Sequence, residues 1–224
     1  TGEELLYRVC LDGEPASEWE PFNLPAQDQS TVRFAYFGDT RSGAGGGESA
    51  HGGVNLDTIE NLTALAHSEG AEFFLVGGDL IRGYTTSSED FSGQLYAWKQ
   101  AMAGFWRNRP VYPAQGNHEA LIHRFAGQGD ESWLGLDSWP YETHSTEALF
   151  AKAFCNPTNA PEASPGLPSY SETVYSFRHG CVKSICFNNN YWVTSHADRY
   201  GGAPEGSILE DQMAWIEQEI LAAE

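Results

Sequence analysis

Pro110-Val111-Tyr112-Pro113-Ala114-Gln115-Gly116-Asn117-His118-Glu119 is an apolar run that ends in glycine, followed by an amide, an imidazole and a carboxylate. The same grammar occurs twice upstream: Val32–Phe37 runs into Gly38-Asp39-Thr40-Arg41, and Phe73–Val76 into Gly77-Gly78-Asp79. The three runs are short, rich in β-branched and aromatic residues, and stopped by glycine. They read as buried strands. Helical patterns separate them, so the strands are expected to be parallel neighbours, with Asp39, Asp79 and Asn117-His118-Glu119 emerging from their carboxyl ends. Open α/β sheets place ligands at that edge. Two carboxylates, an amide oxygen and an imidazole converging there make a site for a hard cation with an acid or base beside it.

Singly, a Gly-Asp marks any turn. In order, each behind a strand, Gly38-Asp39, Gly77-Gly78-Asp79 and Gly116-Asn117-His118-Glu119 resemble the calcineurin-like metallophosphoesterase superfamily, in a secreted, purple-acid-phosphatase-like form. The resemblance implies an α/β fold: a β-sandwich flanked by helices, incomplete at the C-terminus and preceded by a short β hairpin. It implies hydrolysis of phosphate esters, as a phosphatase or phosphodiesterase, by in-line attack of metal-bound hydroxide. The cofactors implied are two divalent or trivalent metal ions (Mn, Zn, Fe or Mg). Asp79 matches the bridging ligand, Asp39 a ligand to the first metal and Asn117 a ligand to the second. His118 matches the residue that contacts phosphate and protonates the leaving oxygen, a role suited to a side chain that titrates near neutrality. Glu119 matches a carboxylate that orients the histidine or supports the ligands. Each residue also has a plain structural reading: the aspartates as caps, Asn117 as a turn former.

Two departures bear on activity. The superfamily commonly has a histidine two residues after its first aspartate; Arg41 stands there, and a guanidinium cannot coordinate a cation. Arg41 is instead expected to donate to substrate phosphate, with Arg82 as a second substrate-binding candidate. Purple acid phosphatases carry a tyrosine where Arg82 stands, and Tyr84 is two residues further on, so an iron–tyrosinate site is not expected. The later motif histidines, including a Gly-His-x-His pair, do not occur before Glu224. The expectation is a segment of a longer protein. Its partners would be a phosphoester substrate and the missing C-terminal segment of the same chain. Alone it would neither bind two metals tightly nor turn over substrate. A reading from another class is a degenerate member that serves as an extracellular binding or structural module.

Composition narrows the partners. The formal net charge is −19 and Lys99, Lys152 and Lys183 are the only lysines, so a nucleic-acid backbone or an anionic membrane is repelled. No apolar stretch is long enough to span a bilayer. Thr1-Gly2-Glu3-Glu4 is not a signal peptide, although one could already have been removed. Four cysteines (Cys10, Cys155, Cys181, Cys186) do not form a zinc pattern. Their even number suits a disulfide and a secreted or periplasmic setting, with Cys10 or Cys155 as the better partners for Cys181 and Cys186.

Residues 1–30 read as the end of a fibronectin-like β domain, or an edge hairpin, plus a linker at Leu24–Gln29. Residues 31–224 read as the truncated catalytic domain. Within it, Gly43–Gly53 reads as a flexible rim containing His51. Helices are expected over Asn55–Ser68 (with Asp57 and Glu60 as a capping box), Phe91–Arg107, Thr146–Phe154 and Ile208–Ala222. Thr173–Phe177 and Cys181–Phe187 read as a hairpin. Leu121–Tyr141 reads as irregular, with Trp133, Trp139 and Tyr141 available to shape a pocket or to pack in the core.

Overall fold

A computed structural model describes residues 4–23, 29–43, 50–126 and 133–223. Four short strands come first: β1 (Glu4–Tyr7), β2 (Cys10–Leu11), β3 (Glu14–Pro15) and β4 (Glu20–Asn23). β1 pairs antiparallel with β4 and β2 with β3. They do not join the main sheet. Instead they lean on the end of a long helix: the Tyr7 hydroxyl donates to the Arg107 carbonyl at 2.6 Å, and Asn108 Nδ2 donates to the Pro21 carbonyl at 2.8 Å. Most of the expected linker lies outside the described residues.

The body is built on β5 (Phe34–Phe37), β6 (Ala50–His51), β7 (Val54–Asn55), α1 (Leu56–Ser68), β8 (Phe73–Val76), α2 (Ser88–Trp106) and β9 (Val111–Pro113). β5, β8 and β9 form a parallel sheet with β8 in the middle, in the register Phe37↔Val76↔Pro113. The three polar clusters therefore leave the same edge, as the sequence predicts. The central strand β8 is buried on both faces, but the edge strand β5 is not. Phe37, Phe74, Val76 and Val111 point into a core with Ile59 of α1 and Leu95, Trp98, Met102 and Phe105 of α2. On the opposite face Phe34 and Tyr36 are 42% and 70% exposed. The continuous apolar run conceals a period of two, because aromatic residues occupy both faces.

α1 is capped by Asn55, whose side chain accepts from the Thr58 backbone N–H at 3.3 Å. The expected box on Asp57 and Glu60 is thus displaced: Asp57 lies in the first turn, where its charge meets the positive helix end. Gly70 (φ 71°) stops the helix. α2 starts at Ser88, earlier than Phe91, because the Ser87 hydroxyl accepts from the Asp90 N–H.

Leu121–Tyr141 is not irregular. It contains the antiparallel pair β10 (Ile122–Ala126) and β11 (Trp133–Asp137), in register from Ile122↔Asp137 to Ala126↔Trp133. Ile-His-Arg-Phe-Ala has no clean alternation, so cross-strand pairing decides the outcome. Trp139 is exposed and Tyr141 packs edge-on to Trp192, with ring centroids 5.8 Å apart.

Next come α3 (Tyr141–His144), α4 (Thr146–Ala153), β12 (Tyr175–His179), β13 (Val182–Cys186), α5 (Ala197–Tyr200) and α6 (Glu210–Leu221). β12 and β13 form the expected hairpin. It stacks on the sheet face opposite α1 and α2: Phe177 lies 3.7 Å from Tyr112 and 5.7 Å from Phe73 between ring centroids, and the Tyr175 hydroxyl donates to the Pro113 carbonyl. α6 buries less than its pattern suggests. Trp215 joins a second core cluster with Tyr170, Val174 and Tyr191, while Met213 and Ile220 stay 43% and 56% exposed. Its buried polar residue, Gln212, brackets the Asn188 backbone with two hydrogen bonds.

The expected disulfide is absent: all four cysteines are free. Cys10 is on β2, Cys155 follows α4, and Cys181 and Cys186 lie in the turn and on the last residue of the β12–β13 hairpin. Cys10 and Cys155 are exposed, the Cys181 thiol donates to the Ser30 carbonyl, and the Cys186 thiol, pushed up to about 12 by burial, faces the Thr173 carbonyl.

Candidate active site

Asp39 and Asp79 both adopt a left-handed backbone conformation, φ 55° in each. A non-glycine residue pays about 1–2 kcal/mol for that conformation, and such strain collects where function demands a particular side-chain direction. The two loops are tied together: Asp39 N–H donates to the Gly78 carbonyl at 3.3 Å and Arg41 N–H to the Asp79 carbonyl at 3.0 Å. The third loop is jammed against the second. A Cβ on Gly78 (φ 93°) would lie 2.5 Å from Gly116 N and Cα, and one on Gly116 would lie 2.4 Å from Asp79 Oδ1. Glycine at both places is what lets the Asp79 and Asn117 turns meet.

Glu119 secures that meeting. Its carboxylate is buried and accepts three backbone N–H groups: Gly116 at 2.7 Å, Asp79 at 2.9 Å and Ile81 at 3.1 Å. Its side chain is spent on the backbone of both loops and not on orienting His118. Desolvation, reinforced by the charge of Asp79, outweighs the three donors and pushes its carboxyl up to about 7.

His118 is oriented by two other groups. Its N–H donates to Asp79 Oδ1 at 3.1 Å, and its ring Nδ1 lies 2.7 Å from the Arg82 carbonyl. A carbonyl only accepts, so Nδ1 carries the proton and Nε2 is left for exchange with a ligand. The Tyr84 ring stands edge-on to the imidazole, centroids 4.8 Å apart. Arg82 thus serves His118 through its backbone; its own side chain is exposed.

Asn117 is held by Tyr84, whose hydroxyl accepts from Nδ2 at 2.9 Å. The same hydroxyl lies 3.4 Å from Glu205 Oε2. Burial raises the Tyr84 phenol above its usual range, so it stays protonated. Arg41 lies beside the carboxylates: its Nε is 3.5 Å from Asp79 Oδ2 and 4.0 Å from Asp39 Oδ1, with no hydrogen-bond partner of its own. Among the described residues it is the cation paired with the two aspartates.

A cleft of about 460 Å³ opens over these groups, lined by Asp39, Asp79, Asn117, Asn189, Asn190 and Glu205 among others. It brings together three of the sequence-predicted residues and adds three that the motifs do not contain. Asn189 and Asn190 belong to the triplet Asn188-Asn189-Asn190, whose position just after β13 is the one trace of them in the sequence. Glu205 arrives from a loop with no motif, fastened by a Gly206 N–H that donates to Asn190 Oδ1 at 3.4 Å.

The donors around the cleft are hard oxygens, which suit hard divalent ions such as Mg or Mn. Among the described residues no three His, Cys, Asp or Glu side chains cluster closely enough to hold an ion by themselves. Asp39, Asp79 and the Asn117 amide fit part of a cation's shell and leave positions for further ligands.

The calcineurin-like phosphoesterase family model matches residues 32–197. The chain belongs to that family. A solved purple acid phosphatase, PPD1 from yellow lupin (Lupinus luteus) seeds, superposes with a TM-score of 0.51 at 17% identity, over 98% of this chain and 33% of that one. The fold is therefore of the metallophosphoesterase α/β type, and the chain spans about a third of the length of that phosphatase. No curated protein matches the sequence.

Proposed function

We propose that the protein carrying this chain is a metal-dependent hydrolase of phosphate esters, and that Asp39, Asp79 and Asn117 form the front part of its metal centre. One observation carries the reading. Two strained aspartates and an asparagine from three separate strand ends line one cleft, beside a histidine whose tautomer is fixed by a carbonyl. A bound cation pair, Mn, Zn, Fe or Mg, would supply positive charge at the phosphoryl oxygens and acidify water. The chain's own residues do the rest. Asp79 Oδ1 accepts from the His118 backbone N–H and so keeps that residue beside the metal ligands, while the Arg82 carbonyl orients its ring. His118 Nε2, protonated, gives its proton to the departing oxygen. Arg41 neutralises the aspartates and steadies the phosphate.

The substrate is a small-molecule mono- or diester, and the net charge of −19 argues against nucleic acid as a surface partner. An extracellular or periplasmic setting is part of the proposal, supported by the acidic composition. So is a partner segment of the same protein on the open face of the sheet. Residues 1–224 alone are expected to bind metal weakly and to be close to inactive.

The test is hydrolysis of p-nitrophenyl phosphate and bis-p-nitrophenyl phosphate by the full-length protein, with Mn²⁺ or Zn²⁺ added. Asp79→Asn should abolish it, and His118→Ala should lower kcat about 10²- to 10⁴-fold. Metal-independent turnover, or full activity in Asp79→Asn, would sink the proposal. A second reading, a degenerate binding module, is favoured by Arg41 standing at a ligand position. It predicts no turnover by the full-length protein with any of these metals.

A further inference from the structure

We infer that Glu205 and Tyr84 are positioning residues that set the polarity of the Asn117 amide and so decide that its oxygen, not its nitrogen, faces the cleft. The inference rests on the reading of Asn117 as an oxygen ligand. An asparagine side chain is nearly symmetric in shape. Only its hydrogen-bond partners distinguish oxygen from nitrogen, and a cation accepts the oxygen alone. The partner here is the Tyr84 hydroxyl, 2.9 Å from Nδ2. A hydroxyl has one proton and can either donate or accept toward the amide, so by itself it fixes nothing.

Glu205 breaks the tie. Its Oε2 lies 3.4 Å from the same hydroxyl, and an ionised carboxylate only accepts. The phenol proton therefore turns toward Glu205. The phenol oxygen is left as an acceptor, the amide nitrogen must supply the donor, and Oδ1 is held at the far end of the planar amide. The polarity is relayed from a carboxylate, through a hydroxyl, to a ligand. The Tyr84 ring and the backbone beside Glu205 are held by contacts that do not involve Asn117. Tyr84 sits at φ 48° with its ring against His118, and the neighbour of Glu205 is pinned to Asn190. Groups beyond the immediate ligands fix ligand orientation in this way at metal sites generally, and their loss typically costs 10- to 100-fold in metal affinity.

The substitutions separate orientation from bulk. Tyr84→Phe keeps the ring on His118 and removes the relay. Glu205→Ala removes the bias. Glu205→Gln reverses it, since a glutamine N–H can donate to the phenol oxygen and send the phenol proton to Asn117. The test is made on the full-length protein with two readouts. In the metal-free state, the side-chain NH₂ resonances of Asn117 report its hydrogen bond. With Mn²⁺ added, the free-ion electron paramagnetic resonance signal gives the affinity.

Tyr84→Phe should shift the Asn117 NH₂ signals and weaken Mn²⁺ binding 10- to 100-fold, with melting temperature held near that of the parent. Glu205→Gln should weaken binding more than Glu205→Ala. Unchanged NH₂ signals in both Tyr84→Phe and Glu205→Gln overturn the relay, whatever the metal does. Equal Mn²⁺ affinity in Glu205→Gln and Glu205→Ala overturns it as well. If the signals move but Asn117→Ala binds Mn²⁺ like the parent, the ligand reading of Asn117 fails instead, and the relay has no metal to serve.

Discussion

At Glu119 a single side chain holds two motif loops together. Three backbone N–H groups, those of Gly116, Asp79 and Ile81, end on one buried carboxylate. Removing the acceptor strands them, and an unsatisfied buried donor costs about 1–3 kcal/mol. Glu119→Ala should therefore lose at least ~3 kcal/mol, and in a chain of this size each kcal/mol moves the melting temperature by about 2–4 °C. Calorimetry on the variant checks it; a loss below ~1 kcal/mol would show that water replaces the carboxylate. The residue's chemistry was legible, since Glu119 ends the most telling tetrapeptide. Its job was not, because nothing in Gly-Asn-His-Glu says that the carboxylate folds back on Asp79.

The β10–β11 pair and α4 meet at a buried pair of carboxyls. Asp137 Oδ1 accepts from the Ser138 N–H at 2.8 Å and the Thr146 N–H at 3.1 Å, and Glu147 Oε1 accepts from the Trp192 N–H at 3.0 Å. Asp137 Oδ2 and Glu147 Oε2 are buried without a hydrogen-bond partner, and the two side chains interact, so one proton held between them would relieve both. Burial raises both carboxyls, and for Asp137 the nearby Glu147 adds to it. The sign follows from linkage. The folded state keeps a proton that the unfolded chain releases, so this stabilisation is complete in acid and is lost as pH rises through the raised values. Glu119, at about 7, acts in the same direction. Urea unfolding should show stability declining from pH 5 to pH 9. Glu147→Gln, whose amide can donate to Asp137, should flatten part of that decline; a decline of unchanged slope contradicts the shared proton. None of this was visible beforehand, because the hairpin carrying Asp137 has no alternating pattern to announce it.

Across the molecule, the helix-free face of the sheet is incompletely covered. An apolar groove of about 500 Å³ runs between β5 and the β12–β13 hairpin, lined by Phe34, Tyr36, Leu75, Phe177, Ile185 and Phe187 among others, and shares Tyr36, Gly77, Gln115 and Asn189 with the polar cleft. Phe34, Tyr36 and Phe187 are all more than 40% exposed, at 42%, 70% and 43%. Contiguous apolar surface of this kind binds hydrophobic dyes and invites association. Residues 1–224 should bind anilinonaphthalene sulfonate in their folded state. A Tyr36→Ser, Phe187→Ser double variant should reduce that fluorescence at least twofold at unchanged circular dichroism. Undiminished fluorescence would move the dye site elsewhere, to the exposed Leu6 and Leu11 of the N-terminal strands for instance.

The sequence by itself determined the three parallel strands, the main helices, the shared edge and the chemical kind of each polar cluster, because strand runs, glycine stops and helix faces are local patterns. Tertiary structure alone decided that Glu119 clamps the loops, that Glu205, Asn189 and Asn190 join the cleft, and that Arg41 lies between two aspartates. It also decided that one sheet face stays half open. These outcomes depend on which distant backbones approach within a few ångströms, and side-chain periodicity does not carry that information.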